Sequence, residues 1–168
     1  MSTIGLDLGH TTVREAEHWL ADLPPVPGLV ACTHFANARV LITLDGADIA
    51  QLPPRPAAAV PDDGACLAAA REHAARRAGR AFIYPGVDLL RGTLTAADLL
   101  AKTAIERIIV LGLPGAPEPE PETLVDTRDF IRPQWMEGRL TLVATPAPGG
   151  RIAPFEIPNS TPCCADHP

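Results

Sequence analysis

Aromatic side chains are scarce in this 168-residue chain: two Trp, one Tyr and four Phe, or 4% of the residues. Hydrophobic residues still reach 46%, near the usual globular share, so the core must be built from Ala, Leu, Val and Ile. Alanine forms helices readily but buries little area per residue. A second copy covering part of the surface would help such a chain, and a homodimer is expected. Basic residues are also outnumbered, 14 against 20 acidic, for a net charge of −6. That balance argues against a nucleic-acid partner, which would need concentrated Lys and Arg. The one basic group, Arg71, Arg76, Arg77 and Arg80, reads as the solvated end of a helix.

Long apolar runs are missing, so no membrane span is expected. The opening residues, Met1 to Asp7, lack the basic start and apolar stretch of a secretion signal, which points to the cytoplasm. Cysteine is limited to four positions: Cys32 and Cys66 stand alone, and Cys163 and Cys164 are adjacent. This is no disulfide framework, and reduced thiols are the default without export. There is no C-x-x-C redox motif, no G-x-S-x-G elbow and no Walker loop. The only serines, Ser2 and Ser160, lie in terminal or irregular chain.

Proline is abundant at 19 residues, and together with glycine it divides the chain into short elements. Apolar spacing from Val13 to Leu23, behind Thr11 or Thr12 as cap, predicts a first helix. Residues 29–35 and 39–44 read as a hairpin turning at Asn37. The proline-rich stretch Pro53–Pro61 reads as a surface connector. A helix from Asp62 or Asp63 to Ala78 is expected to stop at Gly79, followed by a strand over 81–84. Thr95 caps a helix to Ile105. Ile108-Ile109-Val110-Leu111 predicts a strand covered on both faces. A short helix over 126–137, a strand over 140–144 and an edge strand near 152–157 complete the order. Alternation of helix and strand predicts one α/β domain over 1–168. It would have a mixed, mostly parallel central sheet flanked by helices, with residues 145–168 as an extended Pro/Gly-rich tail packed on it.

Residues Ile4-Gly5-Leu6-Asp7-Leu8-Gly9-His10-Thr11-Thr12 resemble the first phosphate loop of the actin and sugar-kinase ATPase superfamily, which would imply an Asp and a Gly-Thr turn facing phosphates and metal. The resemblance stops within the first dozen residues. That superfamily needs two large lobes and continues into a second strand, where this chain turns into a helix. A turn before a helix cap is the simpler reading of Gly9 and His10.

Thiol and imidazole ligation is the leading chemical reading. Cys32 and His34 share one face of a strand by its period of two. Near the other end, Cys163, Cys164, Asp166 and His167 concentrate two thiols, a carboxylate and an imidazole. If the tail packs on the first hairpin, Cys32, His34, Cys163, Cys164 and His167 would form a mixed sulfur and nitrogen site for zinc or another transition metal. The expected function is accordingly a small metal-binding α/β protein. Two alternatives stand beside it. One is a non-catalytic regulatory domain holding a small molecule or a protein at its strand-end loops, such as Gly112-Leu113-Pro114-Gly115 or those carrying Asp45, Asp48 and Asp88. The other is a Cys-dependent enzyme, which requires a thiol beside a histidine with a lowered pKa.

Overall fold

The computed structural model describes residues 3–46 and 63–158. The chain opens with strand β1 (Ile4–Leu6) and helix α1 (Val13–Ala21). Thr12 caps α1 through a reciprocal pair: its hydroxyl accepts from the Glu15 amide at 3.2 Å, and the Glu15 carboxylate accepts from the Thr12 amide at 3.1 Å. Strands β2 (Val30–Ala36) and β3 (Arg39–Asp45) form the expected hairpin. Its two turn residues, Asn37 (φ 51°) and Ala38 (φ 60°), both lie in the left-handed region, as a tight two-residue turn between twisted strands requires.

Helix α2 (Asp63–Ala74) ends four residues before the expected Ala78, because Arg76 takes a φ of 54° and breaks the helical path. Strand β4 (Arg80–Ile83) follows, then β5 (Thr93–Thr95) and helix α3 (Ala96–Lys102). Thr95 caps α3 by accepting from the Asp98 amide at 3.1 Å. The remaining strands are β6 (Arg107–Val110), β7 (Leu124–Asp126), β8 (Gln134–Met136), β9 (Arg139–Ala147) and β10 (Arg151–Pro154). The short helix expected over 126–137 does not form. Arg128 and Asp129 both adopt positive φ, Pro133 has no amide hydrogen to donate, and the segment instead joins β7 to β8.

The strands make one sheet in the order β1-β3-β2-β4-β8-β9-β10-β7-β5, with β6 also paired to β9, and the sheet does not close into a barrel. Among the described residues only β6–β9 and β7–β10 are parallel; the other pairings are antiparallel. The expectation of a mostly parallel sheet is therefore corrected. Helix–strand alternation suggested crossover units, but tight turns such as Glu137-Gly138 and Gly149-Gly150 fold successive strands back on each other. Residues 145–147 and 151–154 of the expected tail belong to β9 and β10.

Alternation along β3 divides its side chains between two layers. Val40, Ile42 and Leu44 pack with Ala16 and Leu20 of α1. Leu41 packs with Cys66 and Ala69 of α2 on the opposite face. Burying a leucine fully contributes roughly 2 kcal/mol. The second half of the sheet has its own core around Leu99, Ile105, Ile108, Leu140 and Leu142. Gly5 is fixed by packing: a Cβ there would overlap the Cys66 backbone, so β1 lies directly against α2. Its glycine thus serves helix–sheet contact.

Candidate functional site

The α2 face of the hairpin is polar at its centre. Cys32 on β2 pairs in register with Thr43 on β3. Cys32 and His34 share this face, as strand alternation predicts: a Cβ on Gly79 would meet Cys32 Cβ and His34 Cε1, each at 3.0 Å. The buried residues of α2 are Cys66, Ala69, Ala70 and His73, a spacing of three, four and seven that forms one helical stripe. That stripe lays His73 onto Thr43.

A continuous chain of polar atoms results. His34 Nε2 lies 2.9 Å from Thr43 Oγ1, and the same oxygen lies 2.8 Å from His73 Nδ1. His73 Nε2 is 3.9 Å from Cys32 Sγ, a long sulfur contact. Cys32 and Thr43 are fully buried and His73 is 2% exposed, while His34 is only partly covered. The Trp135 ring of β8 lies 6.2 Å from the His73 ring. Its buried Nε1 has no hydrogen-bond partner of ordinary geometry, though it is close enough to Cys32 to favour the thiolate slightly.

Burial governs the charge states here. It pushes the Cys32 thiol far above its ordinary value, outweighing the indole. Burial, aided by the neighbouring His73, pushes His34 down to about 4. Burial also lowers His73, against a smaller opposing effect of Asp45. Near neutral pH the network is therefore uncharged.

His73 and Trp135 line a cleft of about 610 Å³ between the C-terminal ends of α2 and α3. Val30, Pro85, Leu100 and Ala104 give it apolar walls, and Asp45, Thr103, Arg76 and Glu106 supply polar groups. The Arg76 guanidinium lies over the Trp135 ring at 5.1 Å and pairs loosely with Glu106 at 3.8 Å. A larger groove of about 860 Å³ runs beside α1, but its Arg80 and its glutamates already pair with each other. Glu17 accepts from Arg80 at 2.6 Å and from Arg132 at 2.9 Å, and Arg80 also binds Glu156. Arg132 lies over Phe82 and Phe130 at 4.6 and 4.2 Å.

Several expectations are corrected by this geometry. Among the described residues no group of three or more His, Cys, Asp or Glu side chains is placed to hold a metal ion, which overturns the metal-binding function and the zinc or other transition-metal cofactor. The physical reason is visible at Cys32 and His34. The inward nitrogens of His34 and His73 both meet the Thr43 hydroxyl between them, so they converge on a hydroxyl rather than on a point shared with Cys32, whose sulfur stands 3.9 Å from His73 Nε2. Cys163, Cys164 and His167 lie outside the described residues, as do Asp48 and the Pro53–Pro61 connector. A thiol enzyme built on Cys32 fails its own requirement, because the thiol pKa is raised. Cys66 is buried against the sheet, as expected of a core residue. The Gly112–Gly115 loop and Asp88 are exposed, and Asp45 lines the cleft. Among the described residues no feature supports the expected homodimer or cytoplasmic location. Among the described residues no helix is long and apolar enough to cross a membrane.

His73, Thr43 and Trp135 carry the site, and sequence reasoning did not single them out. The helical stripe from Cys66 to His73 was the available signal for the first of them. Comparison with protein-family models, with curated proteins and with solved structures finds no significant match to this chain.

Proposed function

We propose that the domain binds a small molecule in the cleft between α2 and α3. The observation that carries this reading is the union of an indole, an imidazole and aliphatic walls in one cleft of about 610 Å³, within the size range of small-molecule sites. The aliphatic walls and the ring edges favour a ligand with a flat apolar part. One guanidinium and two carboxylates at the mouth favour a ligand carrying polar groups of both kinds rather than a strong anion. Binding is favoured over thiol chemistry at Cys32 because that sulfur, beneath the cleft, is sealed and protonated.

Ligand-observed NMR with indole, benzamidine and benzoate tests the reading with flat probes of three charges. Saturation transfer to indole or benzamidine is expected, and Ala104→Phe, which fills the cleft from α3's end, is expected to abolish it. Silence from all three probes, or transfer unchanged in a folded Ala104→Phe protein, would overturn the reading.

A further inference from the structure

Between His34 and His73 stands a single hydroxyl, and a hydroxyl has one hydrogen to give. Thr43 can therefore donate to at most one imidazole, and at least one imidazole donates to it. The ends of the chain decide which. The Trp135 indole can only donate, and the Cys32 thiol keeps its hydrogen. In the neutral state each group passes one hydrogen along. The Trp135 N–H lies near the Cys32 sulfur without a hydrogen bond of ordinary geometry, and the Cys32 S–H points to His73 Nε2 across the long 3.9 Å contact. His73 Nδ1–H donates to Thr43 Oγ1, and Thr43 O–H donates to His34 Nε2.

We propose that this chain is a proton sensor built into the cleft floor, in which protonation of His34 reverses the two hydrogen bonds of the Thr43 hydroxyl and converts His73 Nε2 from acceptor to donor. The proton comes from water and enters at His34, the only imidazole of the pair that is partly exposed. A protonated His34 carries hydrogen on Nε2, so the Thr43 oxygen accepts it and its own hydrogen is released from His34 and free to turn to His73 Nδ1. His73 then gives up its Nδ1 hydrogen and takes one at Nε2 by exchange with water as the chain opens, and the Cys32 S–H, displaced as the donor, turns away from His73. The sulfur, a weak acceptor, now faces two N–H groups, and the floor beside Trp135 becomes rich in donors.

Charged groups around the chain set how readily this happens. Glu72 on α2 favours the His34 cation, and His73 opposes it. Asp45 at the end of β3 favours a proton on His73. Arg76 and Glu106 stand at the cleft mouth and pair with each other. The consequence for ligands rests on the binding reading above: acid conditions favour a molecule that presents acceptors to the floor.

The test needs no ligand. Long-range ¹⁵N–¹H NMR of the histidines is recorded from about pH 7.5 to about pH 3.5 on wild type, Thr43→Val and Thr43→Ser. In wild type and Thr43→Ser, His73 is expected to shift from the Nδ1–H to the Nε2–H tautomer with the midpoint at which His34 charges. In Thr43→Val, His34 still charges and His73 no longer follows. A His73 tautomer that stays constant while His34 charges in wild type would overturn the proposal. So would a folded Thr43→Val protein that behaves like wild type, or a wild type that unfolds before His34 charges. If Thr43→Val does not fold, wild type and Thr43→Ser decide alone. A failure of the aromatic probes to bind leaves these spectra unaffected, so the two ideas fail separately.

Discussion

Beneath α2 the buried polar groups carry no charge, whereas beside α1 four charged side chains, Glu17, Arg80, Arg132 and Glu156, meet in one cluster. Both networks tie the first half of the sheet to the second. The relay does so through His73 and Trp135, the cluster through Arg132 and Glu156. They differ in what satisfies them. Each charge in the cluster has an opposite partner and partial access to water. The relay depends on one hydroxyl hydrogen and on imidazoles that remain neutral. A neutral buried network tolerates salt but responds to protons, while a charged network at the surface is screened by salt and responds only to stronger acid.

The largest expected effect lies in the cluster. Glu17→Ala leaves Arg132 without its carboxylate and Arg80 with Glu156 alone, and both arginine side chains are only 12% exposed. We expect a loss of about 3 kcal/mol in urea unfolding. A loss under about 1 kcal/mol would mean that water already satisfies these charges.

Acid separates the two networks. The unfolded chain protonates His34 near its ordinary 6.5, and the folded chain only near 4. Stability is thus complete above the first value, falls as pH drops between them, and levels off below the second. The loss from His34 is on the order of 3 kcal/mol. Burial would raise the Glu17 carboxyl, but the bonds from Arg132 and Arg80 outweigh it and hold the pKa below the ordinary 4.5. Its contribution is present above that value and is lost only as pH falls through the lower, folded pKa. Unfolding free energy against pH should show an early decline that Glu17→Ala retains. Absence of that decline would show that His34 charges freely in the fold.

Thr43→Val keeps shape but removes both relay hydrogen bonds, with an expected cost of about 2 kcal/mol. Smallest is the effect of salt. Raising it from about 0.05 to about 0.5 M should weaken wild type by roughly 0.5 kcal/mol through screening of the cluster. Thr43→Val should show the same salt dependence, and a different one would mean that charge reaches the relay.

Much of the local structure was legible in the sequence because it rests on local rules. The Thr12 and Thr95 caps, the Asn37 turn and the shared face of Cys32 and His34 all depend on neighbours within a few residues. The strand directions did not, because β6 and β9 pair parallel across a gap filled by β7 and β8, while tight turns set the antiparallel remainder. The site was hidden for a similar reason. Thr43 is one threonine in an apolar strand, and Trp135 sits where proline suggested a broken helix. Only the fold brings them to His73. The metal expectation failed because the imidazoles turn to the Thr43 hydroxyl instead of converging with Cys32 on one point.

The most direct test of the account is the tautomer map of the folded protein at neutral pH. The neutral relay requires both His34 and His73 to carry their hydrogen on Nδ1. Long-range ¹⁵N–¹H spectra showing two Nδ1–H histidines, assigned by His34→Gln and His73→Gln variants, are the predicted result. An Nε2–H tautomer at either residue would contradict the direction of the chain and with it the sensor beneath the cleft.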